Sequence, residues 1–438
     1  MSSDRATKLN RLIERRQARI AVIGQGYVGL TLAAAVSVEG FDVVGIDVDD
    51  ARVEALSAGE HVVPGVDEGL FLDACELGRL SFSTSFEALT DADVVVICVP
   101  TPVIEHRPDL SMIESAGRAV GQRLKRGALV VLESTTYPGT TEQVLQPLLE
   151  AGGRRRVGRD LWLAFSPERI DPGNLKYGLR TTPRVVGGVD EASTGLASCF
   201  YRTVVDDVSP LSSPRTAEMA KLLENTFRMV NIALVNELAV LCADQGIDTW
   251  EVISAAATKP FGFMPFQPGP GVGGHCIPLD PTYLAWQSRR DTGRPFRLVE
   301  LAQDINAEMP TYVTRRVIDA LGSRGVALRD ARVLVLGVTY KPDVGDLRES
   351  AAVETIAQLA RRGVRVSYHD PYVPRLRSHG LSLRRTALSS ANLAEADMVV
   401  VLTPHSQYDL EKVRNQARLV FDARNAIGAR GDDKVVTL

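Results

Sequence analysis

The sequence predicts an α/β fold in which two doubly wound, mostly parallel sheets are joined by a central helical domain with one long helix. Three observations carry this expectation. Short apolar runs alternate with helical stretches in the first half of the 438-residue chain. A long stretch without a helix breaker follows. Beyond about residue 331 the alternation returns with the same landmarks in the same order: ARVLVLGV echoes ARIAVIGQ, VRVSYHDP echoes VVGIDVDD, and EADMVVVLTPHS echoes DADVVVICVPTP. An ordered repeat of strand and loop landmarks reads as two similar domains. The expected boundaries are 1–210, 211–310 and 311–438.

The first element group is ARIAVIGQGYVGLTLAAAVSVEGFDVVGID, an apolar strand, a glycine turn, an Ala-rich helix and a second strand ending in Asp47. This is a βαβ unit. Its turn holds Gly24, Gly26 and Gly29 as GxGxxG directly between strand and helix, where the glycines permit a tight turn, close approach of a pyrophosphate and close helix packing. Asp47, about 20 residues on, suits the adenosine ribose hydroxyls and would repel a 2′-phosphate, so NAD is expected rather than NADP. Arg52 stays open between the adenosine side and a solvated helix face. The apolar runs DADVVVICVP, GALVVLEST and LWLAFSP then continue a Rossmann-like sheet buried on both faces.

From SSPRTAEMAK to CADQGI the spacing predicts one helix, with Ser before Pro at its start and no breaker until Gly246. About thirty residues at ~1.5 Å each span roughly 45 Å, enough to link two domains and to pack against a second subunit. A homodimer or higher homo-oligomer is expected. The second α/β domain lacks the glycine fingerprint after its first strand, so a different ligand is expected there.

Composition restricts the partners. A net charge of −4 gives no basic surface for nucleic acid. No uninterrupted apolar run approaches the ~18 residues of a membrane span, so no membrane association is expected. The five cysteines are scattered and lack the paired spacing of a zinc site, which suits reduced thiols in the cytoplasm and no metal.

Within GPGVGGHCIPLDP, Cys276 follows a glycine-rich stretch poorly suited to an ordinary core, which favours a positioned nucleophile over a small buried hydrophobe. The glycines would let this backbone approach a ligand. Adjacent His275 is expected to point away. Lys221 and Asn225, four apart, share one helix face, either as a solvated Lys and a satisfied Asn or as a pair that stabilises a reacting oxygen. Glu168, in SPERIDPGN, follows a strand end where α/β sheets carry ligands and is either a general base or a solvated loop residue. Thr135, in ESTTYPGT, lies at another strand end, where helix capping is its plain role.

Together these motifs resemble the UDP-glucose/GDP-mannose dehydrogenase family over nearly the whole chain: GQGYVGL, CVPTP, ESTTYPGT, SPERIDPG, AKLLENTFRMVNIALVNELA, GPGVGGHCIPLDP, GVTYKPDVGDLRES and FDARN occur in the family's order. The resemblance implies NAD-dependent four-electron oxidation of a UDP-sugar C6 hydroxymethyl to a carboxylate. It makes Cys276 the nucleophile, Lys221 and Asn225 the stabilisers of reacting oxygens, Glu168 and Thr135 the residues handling the hydrolytic water, and Asp280 an acid near the thiol. It assigns Gly24, Gly26, Tyr27, Val28, Gly29, Asp47, Arg52, Pro100, Thr101, Thr135 and Arg348 to the cofactor. To the sugar nucleotide it assigns Glu168, Arg169, Lys221, Asn225, Lys259, Phe263, Gly273, Lys341 and Arg424.

Leu279 stands where many UDP-glucose and GDP-mannose members have Lys, so the chain is similar to the UDP-N-acetylglucosamine 6-dehydrogenase branch, acting on UDP-N-acetylhexosamines. UDP-glucose and dTDP-glucose are the alternatives. A two-electron hydroxyacid dehydrogenase and a non-catalytic NAD-binding sensor are the competing classes.

Overall fold

The computed structural model describes residues 2–104, 107–151, 155–171, 176–274, 276–428 and 431–438; the side chains of Ser2, Ser3 and Cys276 lie outside that description. His275 and the PGNL segment of the SPERIDPGN region also lie outside it. Contacts divide the chain into two compact units, 1–224 and 225–438.

In the first unit, eight strands form one sheet in the spatial order 208–211, 184–188, 162–165, 129–132, 94–97, 19–23, 42–46 and 80–83. Every pairing is parallel except that between 162–165 and 184–188. The strand order reverses beside 19–23, the position where an open α/β sheet leaves a crevice at its carboxyl edge. VVVI at 94–97 and LVVL at 129–132 are buried at every position because helices cover both faces. Each such side chain contributes about 1.5–3 kcal/mol of burial relative to exposure.

The second unit holds a five-stranded parallel sheet in the order 365–369, 332–336, 398–401, 420–422 and 435–437. The two sheets repeat one another in detail. Gly24 and Gly337 have φ of +92° and +80°, and a Cβ on either would strike the carbonyl oxygen of Cys98 or Thr403, at 2.7 and 2.1 Å. The next N–H, of Gln25 or Val338, donates to Asp47 or Asp370 at 2.7 and 2.8 Å. The echo read from the sequence is therefore a repeated strand–turn–strand geometry.

The long helix runs from Pro214 to Gln245, 32 residues. Ser213 accepts the Thr216 N–H at its start. At its end Gly246 takes φ +68°, and the Gly246 and Ile247 amides donate back to Ala243 and Cys242, a Schellman closure. Mean hydropathy over an 18-residue window reaches 1.4, so among the described residues this helix is long and apolar enough to cross a membrane, although the sequence shows no uninterrupted run of that length. The high mean arises because apolar residues occupy two faces. Ala217, Leu222, Met229, Ala233 and Ala239 are buried, whereas Met219, Leu223, Phe227, Leu234 and Leu241 are exposed. Buried Glu218, Lys221, Asn225 and Asn236 interrupt the inner face.

Candidate active site

The glycine turn separates protein packing from ligand space. Gly24 needs its positive φ, and a Cβ on Gly29 would lie 1.8 Å from the Gly24 oxygen. Gly26 has ordinary extended backbone, φ −78° and ψ −168°, and its Cβ would meet nothing within 4 Å. No contact among the described residues explains this glycine. It is the N-cap of helix Tyr27–Val38 and offers no side-chain cap, so the helix N-terminus faces open space suited to an anion. Asp47, 6% exposed, accepts from the Gln25 and Asp49 amides and from Arg52 at 2.9 Å. Arg52 is thus held against Asp47 and Asp49 rather than solvated alone. The turn, the helix end and this acid fit a dinucleotide. Tyr27 packs with Leu30, Leu56, Val63, Val66 and Phe71, while Val28 is half-buried.

Pro100 is exposed, and Thr101 is buried with its hydroxyl on the Thr135 carbonyl at 2.8 Å, stitching CVPTP to ESTTYPGT. Beside half-buried Thr135, the Thr136 hydroxyl is fully buried and has no hydrogen-bond partner among the described residues. The sequence reading passed over Thr136. It also passed over Glu218, whose buried carboxylate accepts from Gly139 N, Thr141 N and Thr141 Oγ1, tying this turn to the long helix. Burial raises the Glu218 pKa. Lys221 follows one turn later on the same face and is 9% exposed.

Glu168 is not a solvated loop residue. Its Oε1 accepts the Arg169 and Ile170 amides, each at 2.6 Å, and its Oε2 accepts Arg184 at 2.5 Å. A carboxylate offers about four acceptor directions; one on Oε2 takes no donor among the described residues. Arg169 reaches Glu224 at 2.6 Å and the Pro183 carbonyl at 2.7 Å, fixing the same segment to the long helix. Arg184 continues to fully buried Glu133 at 2.8 Å. Neither Glu133 nor Arg184 stood out in the sequence, although a charge opening the otherwise apolar strand RVVGG was a readable signal.

In the second unit, Asn225 Nδ2 donates to Asp280 Oδ2 at 2.5 Å, with the residues 8% and 2% exposed. Helix Cys276–Thr292 places Asp280 about one turn beyond its first residue. The preceding glycines serve protein packing, which differs from the expectation of an open ligand-facing backbone. Cβ atoms on Gly273 and Gly274 would lie 2.6 Å from the Glu349 oxygen and 2.8 Å from the Tyr340 ring, and the Gly274 amide donates to Arg348 O at 2.9 Å. Buried Asn236 accepts the Gly269 amide at 2.9 Å and donates to Asn306, another anchor the sequence did not single out.

The Arg424 guanidinium lies against Gly269, 2.4 Å from where a Cβ would sit. Burial weakens its hold on the proton to about 10, with Asp422 opposing the shift, so it carries charge at neutral pH. Among the described residues its Nε donates only a long bond, 3.4 Å, to Leu402 O. Lys341 is half-buried in the segment after strand 332–336, which Asp370 and His405 secure through Val338 N, Thr339 N and Asp343 N. Asp343, Glu349 and Asn425, all near this sheet edge, have φ of +61°, +50° and +50°, a conformation costly for non-glycine residues. Arg348 is exposed and forks onto Asp346 at 2.6 and 2.9 Å. Lys259 is exposed with Nζ 5.0 Å from the Phe261 ring, and Phe263 is 41% exposed on the same loop.

Comparisons with known proteins cover the chain nearly end to end. Residues 18–205 match the NAD binding domain, 215–308 the central domain and 334–429 the UDP binding domain of the UDP-glucose/GDP-mannose dehydrogenase family. The chain is 37% identical over 417 residues to the UDP-N-acetyl-D-mannosamine dehydrogenase of Pyrococcus horikoshii, covering 93% of this chain and 96% of that one. It is 35% identical over 420 residues to the UDP-N-acetyl-D-glucosamine 6-dehydrogenase of Pseudomonas aeruginosa, with the same coverages of 93% and 96%. A solved structure of the Pyrococcus horikoshii UDP-D-ManNAc dehydrogenase superposes with a TM-score of 0.85 at 34% identity, over 96% of this chain and 98% of that one.

Proposed function

The chain belongs to the UDP-glucose/GDP-mannose dehydrogenase family, and from that premise we propose that it oxidises the C6 hydroxymethyl of a UDP-N-acetylhexosamine to the carboxylate through a covalent intermediate on Cys276. The observation that carries this reading is the buried Asn225–Asp280 hydrogen bond one helical turn beyond Cys276. Relatives of nearly equal similarity bear the N-acetylmannosamine and N-acetylglucosamine names, so the class of sugar is supported and the C2 epimer is decided by assay.

NAD would be held by the Gly24–Gly29 turn and Asp47 and would supply two successive hydride acceptances at C6. The chain's own groups do the rest. The Cys276 thiolate adds to the aldehyde carbon, forming a carbon–sulfur bond that prevents escape of the aldehyde. Cys276 opens a helix, whose positive dipole end favours an anion. Lys221 and Asn225 donate to the oxygen that gains charge, and Asp280 fixes the Asn225 carboxamide. At the thioester stage water attacks the carbonyl carbon, Glu168 takes its proton through the acceptor direction on Oε2, and the thiolate leaves. Thr135 orients that water. Lys341 and Arg424 hold the sugar nucleotide, the desolvated Arg424 guanidinium suiting a diphosphate.

The exposed stripe of Met219, Leu223, Phe227, Leu234 and Leu241 supports a homodimer built on the long helix. Lys259 and Phe263 on the exposed loop would then reach the partner's diphosphate. The unbridged thiols at Cys75, Cys98, Cys199 and Cys242 suit a reducing cytoplasm.

The test is NADH stoichiometry with UDP-N-acetyl-D-mannosamine, UDP-N-acetyl-D-glucosamine, UDP-glucose and dTDP-glucose. Two NADH per sugar, with an acid product, is expected for an N-acetylhexosamine. One NADH per sugar rejects the four-electron reaction, and preference for UDP-glucose rejects the sugar class.

A further inference from the structure

Glu133 lies at the carboxyl end of strand Leu129–Leu132, and groups from three other segments converge on it. Arg184 from strand Arg184–Gly188 donates at 2.8 Å, Tyr201 from helix Glu191–Tyr201 donates its hydroxyl, and Cys98 beyond strand Val94–Ile97 donates from Sγ at 3.7 Å. The same guanidinium donates its other nitrogen to Glu168 at 2.5 Å, and the Tyr201 ring lies 4.9 Å from its carbon. Arg184 and Glu133 are each 2% exposed. One buried cation therefore serves two carboxylates. With both ionised the trio carries an uncompensated negative charge, which is costly away from water; one added proton removes it.

We propose that Arg184 is a positioning residue for Glu168, and that Glu133, by sharing its guanidinium, sets through its own proton how strongly Arg184 holds Glu168 during thioester hydrolysis. This rests on the reading of Glu168 as acceptor of the water's proton. With Glu133 ionised, the guanidinium charge is divided between two carboxylates, and Glu168 takes the proton more readily. With Glu133 neutral, the guanidinium is devoted to Glu168, and proton uptake there is harder. The proton on Glu133 exchanges with solvent, and none passes between the two acids. Burial, opposed by Arg184 and reinforced by Glu168, lifts Glu133 to about 7, so the exchange falls in the neutral range. Burial and Glu133 push Cys98 and Tyr201 well up, so both remain neutral donors.

The experiment is a single turnover of the full-length enzyme with NAD and whichever UDP-N-acetylhexosamine it oxidises. Rapid quenching gives the rate at which acid follows the second NADH, from pH 6 to 9. In the native protein that rate is expected to rise about tenfold with a midpoint near neutrality. Glu133→Gln should flatten the rise to less than about twofold, with KM within about twofold of native. Tyr201→Phe removes a donor that favours ionised Glu133 and should move the midpoint to higher pH by at least about half a unit. A native profile in folded Glu133→Gln, or an unmoved midpoint in Tyr201→Phe, overturns the proposal; if Glu133→Gln does not fold, Tyr201→Phe decides alone. Glu168→Gln separates the two readings. Lost hydrolysis in Glu168→Gln beside an unchanged Glu133→Gln profile sinks only the Glu133 coupling, whereas undiminished hydrolysis in Glu168→Gln removes the base assignment and the coupling with it.

Discussion

Asn225 Nδ2 and Asp280 Oδ2 meet at 2.5 Å across 55 residues of sequence, both buried. The bond orients the Asn225 carboxamide, because one Nδ2 hydrogen is held by the acid and the other is left to donate. An Asp280→Asn variant keeps the size and loses the charge. It should fold normally and retain NAD binding, while turnover drops by about 10- to 1,000-fold, the range associated with misplaced oxyanion donors. Unchanged turnover would remove Asp280 from the catalytic set. Asn225→Ala instead removes one donor from a buried carboxylate and should also cost about 1–3 kcal/mol of stability, measured by denaturant unfolding.

The three fingerprint glycines should respond differently to alanine. Gly29→Ala forces a Cβ to 1.8 Å from the Gly24 oxygen and should lower the melting temperature by several degrees. Gly26→Ala meets no protein atom within 4 Å, so stability should hold while the NAD dissociation constant rises at least about tenfold. Equal NAD affinity in Gly26→Ala and the native protein would place the pyrophosphate elsewhere.

Cys276→Ala should bind NAD and sugar nucleotide with near-native affinity and yield no acid. Product analysis by mass spectrometry after prolonged incubation checks this. Acid at native rates would exclude the covalent route.

For Arg424→Ala, the expected change is in KM for the sugar nucleotide, up by about 10- to 100-fold, because a desolvated cation lost from a diphosphate site removes a charge-assisted contact. NAD affinity, measured by calorimetry, should stay constant. A fall in turnover with unchanged KM would mean that Arg424 does not hold the diphosphate.

Glu133 also gives stability a pH dependence. Its native pKa is raised from 4.5 to about 7, so the native state keeps a proton that the unfolded chain releases. Stability from this group is present below about 4.5 and declines as pH climbs toward 7. Denaturant midpoints of native protein and Glu133→Gln between pH 5 and 8 should show the native protein losing stability relative to the variant as pH increases. A pH-independent difference would contradict the raised value.

Local order was readable from the chain alone. GxGxxG, Ser213 before Pro214, Gly246 at the helix end and the recurring strand landmarks each act within a few residues through backbone conformation and periodicity, and each has the structural consequence expected. The echo of VVGIDVDD in VRVSYHDP corresponds to a shared role of Asp47 and Asp370, since both follow the second strand of a βαβ unit and accept an amide from the turn after the first. The pairing of Asn225 with Asp280, of Arg184 with both Glu133 and Glu168, and of Gly269 with Arg424 was decided by tertiary structure. Those contacts depend on the strand order and helix packing within each unit, which bring residues distant in sequence together. The same step changed the meaning of Gly273 and Gly274, whose missing side chains make room for Glu349 and Tyr340. A sequence states where a side chain can bend the backbone or carry a charge; only packing, by removing water, decides which charges must share one partner.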